Sequence, residues 1–178
     1  SFADCRLLLA IASRFGKALA DLPEYPRLVG LQRMLWTKSR MAIREALPAF
    51  EDMAARGIRP MLIKGAARIA LYPDDQKSRV SHDTDILVPC HPALPALDVL
   101  TACGWTPSTG ESAVCLRARL SELRSINLFY GHFGDIDLHL QGFWSPVRDP
   151  DMEDALMATA REAAFFGQRV LVPAPEYW

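Results

Sequence analysis

His82-Asp83-Thr84-Asp85-Ile86-Leu87-Val88, residues 82–88, places two carboxylates one residue apart at the mouth of an apolar run. Successive side chains of a strand point to opposite faces, so Asp83 and Asp85 share one face while Thr84 and Ile86 share the other. Two acids on one face repel and raise each other's pKa unless a cation sits between them. A hard divalent ion with oxygen ligands, such as Mg²⁺, resolves the conflict. The stretch reads as a strand with a metal-holding acid face, and the rest of the chain has to build a sheet around it.

On its N-terminal side, Pro60-Met61-Leu62-Ile63 reads as a short buried strand, followed by Lys64-Gly65-Ala66 and an Ala-rich helix from Gly65 to Leu71. In such a turn the missing side chain lets backbone N–H groups approach a phosphate at the helix N-terminus. Lys64 either reaches that phosphate or points to solvent. A polar loop, Tyr72 to His82, leads back to the acids and carries Arg79, which fits either a nucleotide contact or an ion pair with Asp74 or Asp75.

On the C-terminal side, Pro92 to Cys103 reads as a helix closed by Gly104, and Ala113 to Arg119 as a strand. Ile126–Tyr130 and Asp135–Leu140 are two alternating runs around Gly131-His132-Phe133-Gly134, a hairpin signal. The second run carries a third carboxylate, Asp137, in the frame Ile136-Asp137-Leu138. Asp135 has the same parity and takes its place if the register slips by two. His139 shares that face and fits a phosphate or acceptor contact as well as a structural role. Residues 151–162 read as a helix and Gln168 to Val172 as the last strand.

Upstream, helical spacing predicts one helix over Ala3–Leu22 and another over Pro26–Arg56, kinked or split at Pro48 and capped by Gly57. This order of elements predicts an α/β (α+β) mixed sheet with flanking helices. Residues 1–57 form an N-terminal helical segment packed on a core of residues 58–178. Pro173-Ala174-Pro175-Glu176-Tyr177-Trp178 looks like the opening of a further helix, so the core is expected to be truncated at its C-terminus.

The 178 residues suit one medium domain. With 20 basic and 21 acidic residues the chain lacks the basic balance of a nucleic-acid binder, which leaves a phosphate-bearing small molecule as the expected anionic partner. Cys5, Cys90, Cys103 and Cys115 show no Cys-x-x-Cys pair and read as reduced, buried thiols of a cytoplasmic protein. No apolar run is long enough to span a bilayer, so no membrane partner is expected.

Three converging carboxylates beside a phosphate turn suit metal-assisted nucleotidyl transfer, in which bound cations polarise the α-phosphate and activate the attacking oxygen. The ordered motifs Lys64-Gly65, Tyr72-Pro73-Asp74, Arg79, Asp83-Thr84-Asp85-Ile86-Leu87-Val88 and Asp137-Leu138-His139 support this reading. Over roughly residues 60–175 the chain resembles the bacterial family of uncharacterised nucleotidyltransferases within the DNA polymerase β-like superfamily. The resemblance implies a polymerase-β-like fold, a nucleoside triphosphate such as ATP as substrate, and Mg²⁺ or Mn²⁺ as cofactor. The acceptor would be an unidentified small molecule or protein. Asp83 and Asp85 would be ligands shared by two metals, and Asp137 would hold the catalytic metal and help deprotonate the acceptor. Lys64, Gly65, Ala66, Arg79 and His139 would face the nucleotide. Ala66 stands where the superfamily commonly has Gly or Ser, and Val80-Ser81-His82 where the narrower family often has Pro and Gly. The alternative is a catalytically silent, antitoxin-like binding module on the same fold.

Overall fold

The computed structural model describes residues 2–75, 80–88, 90–143 and 149–177. Arg79 and Trp144 lie outside the described residues. The chain opens with α1 (Phe2–Leu19) and α2 (Tyr25–Ala55). Pro26 sits in the first turn of α2, where its missing N–H costs nothing. Of the kink or split expected at Pro48, the split does not occur: α2 runs unbroken through the proline. An interior proline costs about 3 kcal/mol, but Ile43, Ala46, Ala49, Phe50 and Met53 all bury into the main core across that point. Burying one such large side chain is worth about 1.5–3 kcal/mol, so packing outweighs the lost bond. The helix ends in a Schellman motif, with Gly57 N donating to Ala54 O (3.0 Å) and Ile58 N to Met53 O (2.9 Å).

A seven-stranded mixed sheet follows: β1 (Met61–Leu62), β2 (Thr84–Leu87), β3 (Thr106–Pro107), β4 (Ser125–Tyr130), β5 (Gly134–His139), β6 (Arg161–Phe165) and β7 (Gln168–Val172). Their spatial order is β3-β4-β5-β2-β1-β7-β6. β2 runs parallel to β5 and antiparallel to β1, and β1 runs parallel to β7. Between them come α3 (Lys64–Leu71), α4 (Cys90–Ala102), α5 (Ala113–Arg119) and α6 (Pro150–Ala158). Among the described residues no helix is long and apolar enough to cross a membrane.

One sheet face carries the main core, and a smaller cluster of Met61, Leu87 and Leu156 forms on the other. Ile86, Ile126, Leu128, Ile136 and Leu138 pack against α2, α3 and α4, and the alanines of those helices let the backbones approach closely. Along β5 burial alternates strictly, with Ile136 and Leu138 buried and Asp135, Asp137 and His139 half-buried on the other face. This is the period-2 signature the sequence carried.

Two local expectations fail. Residues 113–119 form a helix rather than a strand. The Ser112 hydroxyl caps it by accepting from Cys115 N (3.2 Å), and only Leu116 is buried while Val114 is 74% exposed. The helix expected to reach residue 162 stops at Ala158, and Arg161–Phe165 instead pairs with β7 through the two-residue turn Phe166-Gly167. Both turn residues have positive φ, +49° and +89°, as a type I′ hairpin requires. Of the cysteines expected to be buried, Cys115 is exposed. Cys103 is half-buried, and burial together with the Asp52 carboxylate raises its thiol pKa to about 11.

Candidate metal and nucleotide site

The parallel ladder of β2 and β5 sets Asp85 directly opposite Asp137, with Ile86 opposite Leu138 and Leu87 opposite His139. The two acids come from segments about fifty residues apart, and the sheet brings them together because Ile86 of β2 and Ile136 and Leu138 of β5 bury on the opposite face. Asp85 Oδ, Asp137 Oδ and a ring nitrogen of His139 all lie within 4.8 Å of one another. His139 Nε2 stands 2.9 Å from Asp137 Oδ2 and 3.1 Å from Asp85 Oδ1.

Lys64 completes the cluster. Its Nζ donates to Asp85 Oδ1 (2.7 Å) and lies 3.1 Å from His139 Nε2 and 3.9 Å from Asp137 Oδ2. The ammonium occupies the point between the donors where a cation would sit. Asp85 is 4% exposed at its side chain and Lys64 is 57% exposed, so the carboxylate is fixed in the protein and the lysine is its solvent-facing counter-ion. Lys64 adopts a left-handed backbone, φ +49°, at the start of α3. A non-glycine residue there costs on the order of 1–3 kcal/mol, which the surrounding structure must hold in place.

Asp83 stands just before β2, outside the three-residue donor group. Its Oδ1 accepts from the Ser81 hydroxyl (3.1 Å), and Ser81 N in turn donates to Ser39 Oγ of α2 (3.3 Å). Gly65 is required by this arrangement: a Cβ there would sit 2.6 Å from Ser81 Oγ. The glycine that the sequence marks as a phosphate turn therefore also makes room for the loop that holds Asp83. Ile63 gives α3 no side-chain cap, and the N–H groups of Lys64, Gly65 and Ala66 precede the first intrahelical bond, Ala67 N to Ile63 O. Asp135, the alternative third acid, is engaged through Oδ1 by Asn127 Nδ2 (2.7 Å).

The charges respond to this crowding. Burial alone would raise the Asp137 pKa, but the hydrogen bond and charge of His139, helped by Ser125 and Lys64, hold it below the usual value of 3.8. For His139 burial pulls downward, yet the Asp137 and Asp85 carboxylates prevail and raise its pKa above 6.5. Asp135 is raised by burial first, against the Asn127 hydrogen bond, and then by the neighbouring Asp83, Asp137 and Asp85 charges.

The donors suit a divalent cation. Two carboxylates and an imidazole converge, a lysine ammonium stands in for positive charge, and beside the Oδ2 that faces Lys64 and His139, Asp137 Oδ1 is buried with no hydrogen-bond partner among the described residues. An unsatisfied buried carboxylate oxygen costs about 1–3 kcal/mol, more when charged, and a bound cation removes that cost. The sequence reading paired Asp83 with Asp85 on parity and treated His139 as secondary. What it lacked was the Ser39–Ser81–Asp83 chain, which crosses more than forty residues, and the Glu45 carboxylate of α2, which accepts from Phe133 N (3.0 Å) and Gly134 N and fixes the β4–β5 turn. The parity of His139 with Asp137 was the one available signal for the third donor.

No curated protein and no solved structure matches the chain. Residues 16–178 do match the sequence profile of a family described as uncharacterised nucleotidyltransferases, a span that holds the Lys64-Gly65 turn, both acid strands and the C-terminal hairpin. The chain belongs to this uncharacterised nucleotidyltransferase family.

Proposed function

We propose that the protein is a Mg²⁺- or Mn²⁺-dependent nucleotidyltransferase that moves a nucleoside monophosphate from a triphosphate such as ATP to an acceptor, releasing pyrophosphate. The observation that carries this reading is the Asp85–Asp137 register pair with His139, beside the uncapped N-terminus of α3. Asp85 and Asp137 would hold the cation, with His139 beside them and Asp83 joining once released from Ser81. The bound cation would lower the charge on the triphosphate and polarise the α-phosphorus. The N–H groups of Lys64, Gly65 and Ala66 point where the departing phosphates would lie, and the N-terminal end of α3 carries the positive pole of its dipole. Lys64, released from Asp85, would reach those phosphates. Asp137, ionised at neutral pH, is placed to take the acceptor's proton. Arg79 keeps only its sequence-based expectation of a nucleotide contact.

A second reading is a silent binding module of this fold. The Lys64 ammonium favours it, since a lysine seated among the acids neutralises them without any metal. One measurement separates the two: pyrophosphate release from each of the four ribonucleoside triphosphates with Mg²⁺ or Mn²⁺, using cell lysate as acceptor source. The enzyme reading requires release by the wild type that the Asp83→Asn/Asp85→Asn double variant loses. Equal release by both leaves only the silent module.

A further inference from the structure

Where β5 begins, the 131–134 turn and the part of α2 around Lys38 and Ala42 enclose a cleft of about 260 Å³. Its lining is chemically divided. Lys38, His82 and His132 supply basic groups, Phe129 and Phe133 supply ring faces, and Asp135 forms the wall toward the acid cluster. Among the described residues, Lys38 and His132 have no hydrogen-bonding or ion-pairing partner for their side chains. Asp135 precedes Asp137 by two residues on the same face of β5, about 7 Å away along the strand. The sheet order puts this cleft on the β4–β5 side of the acids, whereas Lys64 and the α3 N-terminus approach from the β1 side.

We infer that this cleft seats the acceptor, and that the acceptor is a small molecule bearing a hydroxyl, a flat ring and an anionic group. The inference rests on the nucleotidyl-transfer reading. In that reaction the acceptor oxygen bonds to the α-phosphorus as the bond from that phosphorus to the bridging oxygen of the β-phosphate breaks. Pyrophosphate leaves, and the acceptor's proton passes to a carboxylate of the cluster. Entering and leaving oxygens lie roughly in line, so with the leaving phosphates at α3 the acceptor enters from the β4–β5 side. The cleft lies just below the roughly 300–1,000 Å³ of common ligand pockets, which suits one ring and one charged group. Asp83, Asp85, Asp135 and Asp137 repel an anion, as does Glu45 behind the turn, and among the described residues of the cleft Lys38 and His132 at its exposed end attract it. That field orients the molecule with its charge outward and its hydroxyl toward the cation.

The test uses the whole chain saturated with Mg²⁺ and the non-hydrolysable α,β-methylene analogue of ATP. Calorimetric titrations compare 4-hydroxybenzoate with phenol, and adenosine 5′-monophosphate with adenosine. The expected result is at least tenfold tighter binding of the anionic member of one pair or both, the responding pair showing whether carboxylate or phosphate is read. Lys38→Glu should abolish that preference, and Phe129→Ala should weaken both members of the pair. Equal binding within both pairs, no binding of any probe, or a preference that survives Lys38→Glu overturns the inference. Lys38→Gln serves if the Glu variant melts early. Failure of the wild type to bind the α,β-methylene analogue of any of the four ribonucleoside triphosphates would instead sink the nucleotidyl-transfer reading.

Discussion

Lys64 Nζ lies 2.7 Å from Asp85 Oδ1, and the lysine is the exposed partner of a carboxylate that is almost wholly buried. Removing a partner from a buried charge costs about 3–5 kcal/mol, whereas an exposed pair contributes about 0–1 kcal/mol. This half-buried pair falls between them. Lys64→Met should lower stability by about 1–3 kcal/mol without divalent ions, and millimolar Mn²⁺ should restore more melting temperature to the variant than to the wild type. Equal Mn²⁺ shifts in both proteins would show that the lysine and the cation do not share a position.

Gly65→Ala places a methyl group 2.6 Å from Ser81 Oγ, so the loop that holds Asp83 has to shift. Overpacking of this kind costs about 1–3 kcal/mol. Triphosphate affinity should fall with it, and the second change Ser81→Gly should recover part of the stability by removing the hydroxyl. Denaturant melts of the two variants settle the point, since a stability loss untouched by Ser81→Gly would place the strain elsewhere.

The His139 contacts give a pH window with two edges. The folded-state pKa of His139 is raised, so its stabilisation is full below about 6.5 and is lost as pH climbs through the higher folded value. That of Asp137 is lowered, so its share is present above 3.8 and disappears as pH falls through the lower folded value. The stability difference between wild type and His139→Gln should therefore be greatest between these two reference values and shrink on both sides. Urea melts from pH 3 to pH 9 test it; a gap that widens toward alkaline pH would contradict the assignment.

Glu45 on α2 accepts from two backbone N–H groups of the β4–β5 turn. Each buried donor left unpaired costs about 1–3 kcal/mol. Glu45→Ala should destabilise by roughly 2–4 kcal/mol, and amide exchange should accelerate first at Phe133 and Gly134. Uniform acceleration along β4 and β5 would mean that the carboxylate acts on the whole sheet rather than on its turn.

What the sequence revealed follows the strength of its periodicity. β5 alternates strictly around Ile136 and Leu138, so the shared face of Asp135, Asp137 and His139 followed from parity, whereas β2 is buried throughout and the register that sets Asp85 against Asp137 came only from the sheet. β6 escaped because Ala163 and Ala164 are weak strand formers and its turn, Phe166-Gly167, lacks the usual Asn or Asp. The Arg40 guanidinium lies 4.0 Å from the centre of the Phe166 ring, a contact between distant segments that no local pattern encodes. α5 was misread from Val114-Cys115-Leu116, although Ser112 in front of it was a capping signal. In the site, residue types and parity were legible. The Ser81 hydroxyl takes the Asp83 carboxylate across only two residues, but Ser39 holding Ser81, and Lys64 and His139 closing on Asp85, are tertiary contacts spanning 42, 21 and 54 residues.

The shortest central strand has the longest reach. Among the described residues, Met61 and Leu62 form the ladder that joins the four strands β3-β4-β5-β2 to the C-terminal pair β7-β6, with Met61 opposite Leu87 on one side and Leu171 on the other. By backbone pairing the last hairpin reaches the acid-bearing strands through β1, while Phe165, Val170 and Val172 tie its side chains into the main core. Ile63 N is anchored to Asp85 O, and Lys64 follows immediately. The strand that carries the pairing of the C-terminal hairpin therefore also sets where the lysine among the acids begins.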